Sequence, residues 1–209
     1  MRKSYKVGRR TYAQIKDITA RCREILGLSP SSTLRMVEIF RTLARREILK
    51  TGRVVIKFMS VLVGKTPAYV TYNPTTLHVD FDIWMEADQG EPFANFILAH
   101  ELGHVILHDH SAQPYSGKSS KAWDKEEDSE WQADCFADEL LLTDEQATQY
   151  ATPLEISIHY GIPKEVAQRR LGTKCHYVGE PCGNCGNFTL LRDGNRLKCD
   201  TCGKTTPSW

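Results

Sequence analysis

The stretch from Pro92 to His108 constrains this chain more tightly than any other. Phe93, Phe96, Ile97, Leu98, Leu102, Val105, Ile106 and Leu107 place apolar side chains on nearly every side of a helix, and a helix of that kind is buried. Pro92 suits the first helical position, where no backbone N–H is needed. Inside this apolar helix stand His100, Glu101 and His104, in the order His-Glu-Leu-Gly-His. Such groups are costly in a core unless they are partnered. Residues four apart on a helix lie about 40° apart and ~6 Å along the axis, so both imidazoles reach one metal ion. Glu101 lies on the same arc and reaches a water held there. Two neutral nitrogens beside a carboxylate suit zinc and general-base chemistry.

A catalytic zinc takes three protein ligands and keeps one position open. Three residues compete for the third place. His110 has metzincin spacing, but Leu107 stands where that class needs a glycine, and all four methionines lie upstream of the motif. His108 is one turn beyond His104 and fits the helix end or a supporting position better. Glu130 lies on the next helix with Asp134 four residues on, so the two carboxylates share a face. In a gluzincin pair of this kind the first carboxylate binds zinc, and the second orients a ligand histidine through its other N–H.

His100-Glu-Leu-Gly-His-Val-Ile-Leu-His108, a polar gap, then Glu130-x-Gln-Ala-Asp-x-Phe-Ala-x-x-Leu-Leu141 resembles the ImmA/IrrE metallopeptidases, from about Tyr12 to about Leu171. Gln132 replaces the second acid of that pattern, and Thr143 follows the leucines where Met-Pro is common. The resemblance implies a zincin-like α+β core and an intracellular peptidase whose protein substrates are DNA-binding helix-turn-helix repressors, cleaved to relieve repression. It also implies His100, His104 and Glu130 as zinc ligands, Glu101 as the base and Asp134 behind a ligand histidine. Tyr150, His159 and Tyr160 are weaker candidates for stabilising an oxyanion.

Cys182-Gly-Asn-Cys185 and Cys199-Asp-Thr-Cys202, thirteen residues apart and each followed by glycine, form a second metal pattern. Four thiolates at this spacing predict a closed, structural zinc site. A hairpin of Phe188–Leu191 and Arg196–Lys198, turned at Asp193–Asn195, would span the pairs. So small a module lacks a sufficient core, and metal supplies its fold. The expected organisation is 1–150 as the peptidase unit with basic leading helices, 151–175 as a helical hairpin resembling a helix-turn-helix, and 178–209 as the zinc ribbon. SprT-like proteases also join HExxH to such a ribbon, but they use a downstream histidine, for which His159 and His176 are poorly placed. A non-catalytic antirepressor or toxin–antitoxin partner with structural zinc is the other alternative.

The remaining elements follow from periodicity and punctuation. Helices are expected at Thr11–Leu26, Leu34–Lys50, Asp124–Leu142, Thr152–Gly161 and Pro163–Gly172. Short strands at Val54–Phe58, Val61–Val63, Ala68–Tyr72 and Thr76–Val79 predict a small, mostly antiparallel sheet, with a turn or short helix at Phe81–Ala87. Asp109–Lys121 reads as a polar loop.

Hydrophobic residues at 41% and charged residues at 25% exclude a disordered or fibrous chain. No apolar run approaches the ~18 residues of a membrane span, and no apolar segment follows the basic start, so no secretory signal or membrane partner is expected. Seven cysteines, four of them clustered, point to a reduced, cytoplasmic setting. The net charge of +1 hides a split: residues 1–60 carry 15 Lys/Arg against 4 Asp/Glu, and residues 61–150 carry 4 against 17. The two halves dock on each other, or both faces are simply solvated, or the basic one approaches a repressor on DNA. The ribbon's own basic residues, Arg192, Arg196, Lys198 and Lys204, make a thin case for nucleic acid.

Overall fold

The computed structural model describes residues 4–29, 33–60, 66–108, 124–171, 182, 184–187, 190–193 and 196–207. Val61–Val63, the Asp109–Lys121 loop with His110, Cys175, His176, Phe188–Thr189 and the Gly194–Asn195 turn lie outside them. Among the described residues no helix is long and apolar enough to cross a membrane.

Helix α1 (Tyr12–Leu26) opens with a reciprocal Thr11–Gln14 capping box and closes on Gly27 in the left-handed conformation. Helix α2 (Met36–Arg45) buries Met36, Val37, Ile39, Phe40 and Leu43. It stops five residues before the periodicity does. Arg46 is extended, the Val54 N–H donates to the Leu43 carbonyl, and Leu49 bridges to Gly52. Ile48 and Leu49 pack on the core from this return turn. Apolar spacing alone does not separate that arrangement from another helical turn.

Strands β1 (Val55–Met59), β2 (Ala68–Thr71) and β3 (Thr76–Asp80) form one sheet with β3 in the centre. β2 pairs antiparallel with β3, Val70 opposite Leu77. β1 pairs parallel with β3, Ile56 opposite Leu77, so the sheet is mixed. Alternation marks a strand but carries nothing about its partner's direction. Helix α3 (Phe81–Gln89) follows, capped by Asp80.

Helix α4 (Pro92–Leu107) runs with Glu91 capping its start and Pro92 in its first turn. It is buried along nearly its whole length, as its composition predicts. Asp124 caps only a 3₁₀ turn, Lys125–Glu127; the next long helix, α5 (Ser129–Leu141), starts instead at Asp128, whose carboxylate accepts from the Glu130 and Trp131 N–H groups. The chain is extended at Asp128 because that residue bridges to Lys6. The segment Ser4–Arg10 lies along this turn: Val7 N–H donates to Glu127, Arg10 N–H to Glu126, and Tyr5 accepts from Ser129 N–H.

Helix α6 (Asp144–Ala147) leads to α7 (Pro153–Tyr160), which carries the expected Thr152–Glu155 capping box and ends at Gly161, and then to α8 (Lys164–Leu171). Arg169 of α8 donates to Asp138 of α5 at 2.6 and 2.7 Å, and Arg170 bonds Glu139 and the Leu142 carbonyl. Two of the three basic residues that α8 would offer in a helix-turn-helix reading, Arg169 and Arg170 but not Lys164, are thus paired with carboxylates of α5. Ile156, Tyr160, Ile162, Val166 and Ala167 share one core with residues as far back as Ile15. The charge split is used in the same way. Lys6 pairs with Glu127, Arg9 with Glu126, Lys16 with Asp144 and Arg41 with Asp88, each joining the basic leading segment to the acidic one.

At the far end β4 (Leu190–Asp193), β5 (Arg196–Cys199) and β6 (Thr205–Pro207) form a three-stranded antiparallel sheet with β5 central. Cys182 and Cys199 form their own small buried cluster. The described residues are α+β: helices packed with a small mixed sheet, and a second small sheet near the cysteines.

Candidate metal centre

Helices α4 and α5 supply the site together, and their spacing is set by a glycine inside the motif. A Cβ on Gly103 would stand 3.0 Å from the Ala133 Cα and 3.1 Å from its carbonyl oxygen. Only glycine lets the two backbones approach so closely, which brings Glu130 and Asp134 of α5 over His100 and His104 of α4.

One donor atom from each of His100, His104 and Glu130 falls within 4.8 Å of the others. The two Nε2 atoms are 3.0 Å apart. Glu130 places Oε2 3.4 Å from His100 Nε2 and Oε1 3.3 Å from His104 Nε2. Bonds of ~2.0–2.1 Å to a tetrahedral ion imply donors about 3.3 Å apart, so this set fits zinc with no rearrangement of scale. His100 is 1% exposed and Glu101 4%. Of the competing third ligands, His108 stands behind His104, and His110 lies outside the described residues.

The electrostatics favour a cation. Burial pushes the His100 imidazole down, but its bonds to Asp134 and Glu130 outweigh burial and raise it to about 9. Burial likewise opposes the ionised Glu130, yet the bonds to both histidines hold it well below the usual carboxylate range. Carboxylates facing both imidazoles thus favour positive charge at the point where the donors meet.

Each ligand histidine is held from behind. His100 Nδ1 meets Asp134 Oδ1 at 2.7 Å, the carboxylate–histidine arrangement typical of metal ligands. His104 Nδ1 meets His108 Nδ1 at 2.9 Å, and His108 Nε2 faces Gln132 Oε1 at 3.3 Å. Burial, reinforced by the neighbouring His104, pushes His108 down to about 3, so its ring is neutral. Tyr72, at the end of β2, donates its hydroxyl to the His104 carbonyl at 2.8 Å. Tyr72 and Gly103 carry no sequence signal for these duties, because each acts by where its neighbour's backbone lies.

Among the weaker candidates, Tyr150, His159 and Tyr160 contact one another's rings, and Tyr160 donates to Gln149. Among the described residues none of them joins a metal-capable group.

The four ribbon cysteines converge as a second group. Cys182 and Cys202 sulfurs are 3.7 Å apart, Cys185 and Cys199 3.6 Å. Zinc–sulfur bonds of ~2.3 Å imply sulfurs about 3.8 Å apart. The Asn184 N–H points at Cys182 Sγ at 3.4 Å, a backbone bond that supports a thiolate. Four thiolates would fill a tetrahedral ion's positions and leave none for substrate.

Curated proteins share short stretches with the chain, as two show. Vitamin B12-dependent ribonucleotide reductase of Bradyrhizobium diazoefficiens is 58% identical over 41 residues, 19% of this chain and 3% of that protein. The protein of the same name from Agrobacterium fabrum is 44% identical over 43 residues, 21% of this chain and 3% of that protein. The chain spans only about 3% of the length of either. A far larger part, residues 70–172, matches a peptidase family model described as the IrrE N-terminal-like domain. That match runs from within β2 through α8 and so includes every residue of the His100–His104–Glu130 site: residues 70–172 form a domain of the ImmA/IrrE metallopeptidase family.

Proposed function

We propose that the protein is a zinc-dependent endopeptidase that cleaves an intracellular helix-turn-helix repressor and so relieves repression. The observation that carries the reading is the convergence of His100, His104 and Glu130 with Glu101 on the same buried turn of α4. A zinc ion held by these three residues supplies Lewis acidity to a scissile carbonyl and makes a water more acidic. Glu101 takes the proton from the attacking water and passes it to the departing amine. Asp134 holds His100 at Nδ1 and so aims its Nε2 inward. Membership of the ImmA/IrrE family supports the choice of a repressor as substrate.

The test uses purified, zinc-loaded protein and helix-turn-helix repressors encoded in the same genome, with new chain ends read by mass spectrometry. One discrete cut by the wild type, absent with Glu101→Gln, is expected. A repressor that stays intact yet loses its operator would replace peptidase by antirepressor.

Two zinc ions are proposed, one per cluster, with 178–209 as a metal-stapled module after the peptidase. Elemental analysis should give two zinc equivalents for the wild type, one for Glu130→Ala and one for Cys199→Ser. Two equivalents in Glu130→Ala would show that another group serves as third ligand.

A further inference from the structure

We infer that Gln132 is a positioning residue for the metal centre: acting through His108, it dictates which ring nitrogen of His104 carries the proton. The inference rests on His104 binding the ion through Nε2.

Gln132 is fully buried on α5. Its Nε2 lies 2.8 Å from the Gly8 carbonyl oxygen and 2.7 Å from the Glu126 carbonyl oxygen. Two carbonyls accept only, so both amide hydrogens are committed to them. The flipped amide would set its oxygen against two oxygens, and that orientation is excluded by chemistry. Oε1 is therefore left facing His108 Nε2 at 3.3 Å as an acceptor. His108 must then donate from Nε2. Nε2 already carries the proton that faces Oε1, and a second proton would place a charge in a site only 5% exposed, so Nδ1 holds a lone pair. His104 Nδ1, 2.9 Å away, must donate to that lone pair. One proton on Nδ1 leaves His104 Nε2 bare, and Nε2 is the atom that faces His100 and Glu130.

His100 reaches the same state through a carboxylate, Asp134, on its Nδ1. The two ligands are thus set by different means, one by a charge and one by a neutral relay of two side chains. The relay is closed at both ends, and a closed buried network specifies one proton arrangement. Removing its terminal acceptor frees His108 to donate from Nδ1. His104 would then hold its proton on Nε2, where it blocks the ion.

Two substitutions separate this role from simple packing. Gln132→Leu and Gln132→Glu both lose the donations to Gly8 and Glu126. Only Gln132→Glu keeps an oxygen facing His108. Zinc affinity measured by competition with a chromophoric chelator should fall roughly 10- to 100-fold in Gln132→Leu and stay within a few-fold of wild type in Gln132→Glu. Equal losses in the two variants would reduce Gln132 to a structural residue and overturn the inference. Nitrogen-15 histidine spectra of the zinc-loaded wild type should place the His108 proton on Nε2; a proton on Nδ1 would overturn it as well. If the wild type takes no zinc at this cluster, the metallopeptidase reading itself has failed, which the chelator titration shows separately.

Discussion

Replacing Glu101 by glutamine is expected to lower kcat/KM by roughly 100- to 10,000-fold, the range typical of losing a general base, with zinc content unchanged. The side chain sits one residue after His100 on α4 and is almost wholly buried. Glutamine has the same shape, so the helix and its packing against α5 stay in place. What disappears is the ability to accept a proton from water and return it to the amine. The melting temperature should stay close to that of the wild type, which separates lost chemistry from lost fold. Activity within tenfold of wild type would remove Glu101 from the reaction and reopen the search for a base. Loss of zinc alongside activity would instead make Glu101 part of the ligand shell.

Gly103→Val should damage stability and the metal centre together. Even the first carbon of the new side chain would stand 3.0–3.3 Å from the Cα, carbonyl oxygen and Cβ of Ala133. Two of these atoms are backbone and cannot turn aside, so α4 and α5 must part. Overpacking of this kind costs about 1–3 kcal/mol, which for a chain of this size is a fall in Tm of roughly 2–12 °C. The donors come from both helices, so parting them also weakens zinc binding by His100, His104 and Glu130 while the cysteine site is spared. Scanning calorimetry and chelator competition read the two effects. An unchanged Tm and affinity in Gly103→Val would show that the close approach does not set the site.

The parts of the site legible in the sequence are those with short-range rules. Four-residue spacing on an apolar helix identifies His100 and His104, and the same spacing pairs Glu130 with Asp134. The Thr152–Glu155 capping box marks a helix start because its two bonds span three residues. The parts that were not legible depend on distant chain. Whether α2 ends at Arg45 or Lys50 turns on where Val54 finds its carbonyl. The parallel pairing of β1 depends on which side of β3 it enters. Gln132 reads as a mild departure from a motif, yet its amide is held by carbonyls of Gly8 and Glu126, and only the fold brings the first of these near. The charge split permits two readings until Lys16 meets Asp144 and Arg41 meets Asp88.

The strand-like segment Ser4–Arg10 gives the centre a mechanical rear entrance. Between the Gly8 carbonyl and His104 stand three hydrogen bonds, through Gln132 and His108. Residues 70–172, the span that marks the family, therefore contain the Glu126 acceptor of this relay but not the Gly8 one. Anything that lifts Ser4–Arg10 away, such as a grip on its exposed edge or a cut beyond Arg10, slackens the tether on His104 without entering the cleft. Trimming the chain to its family span would keep the motif and the Glu126 acceptor and lose the Gly8 one.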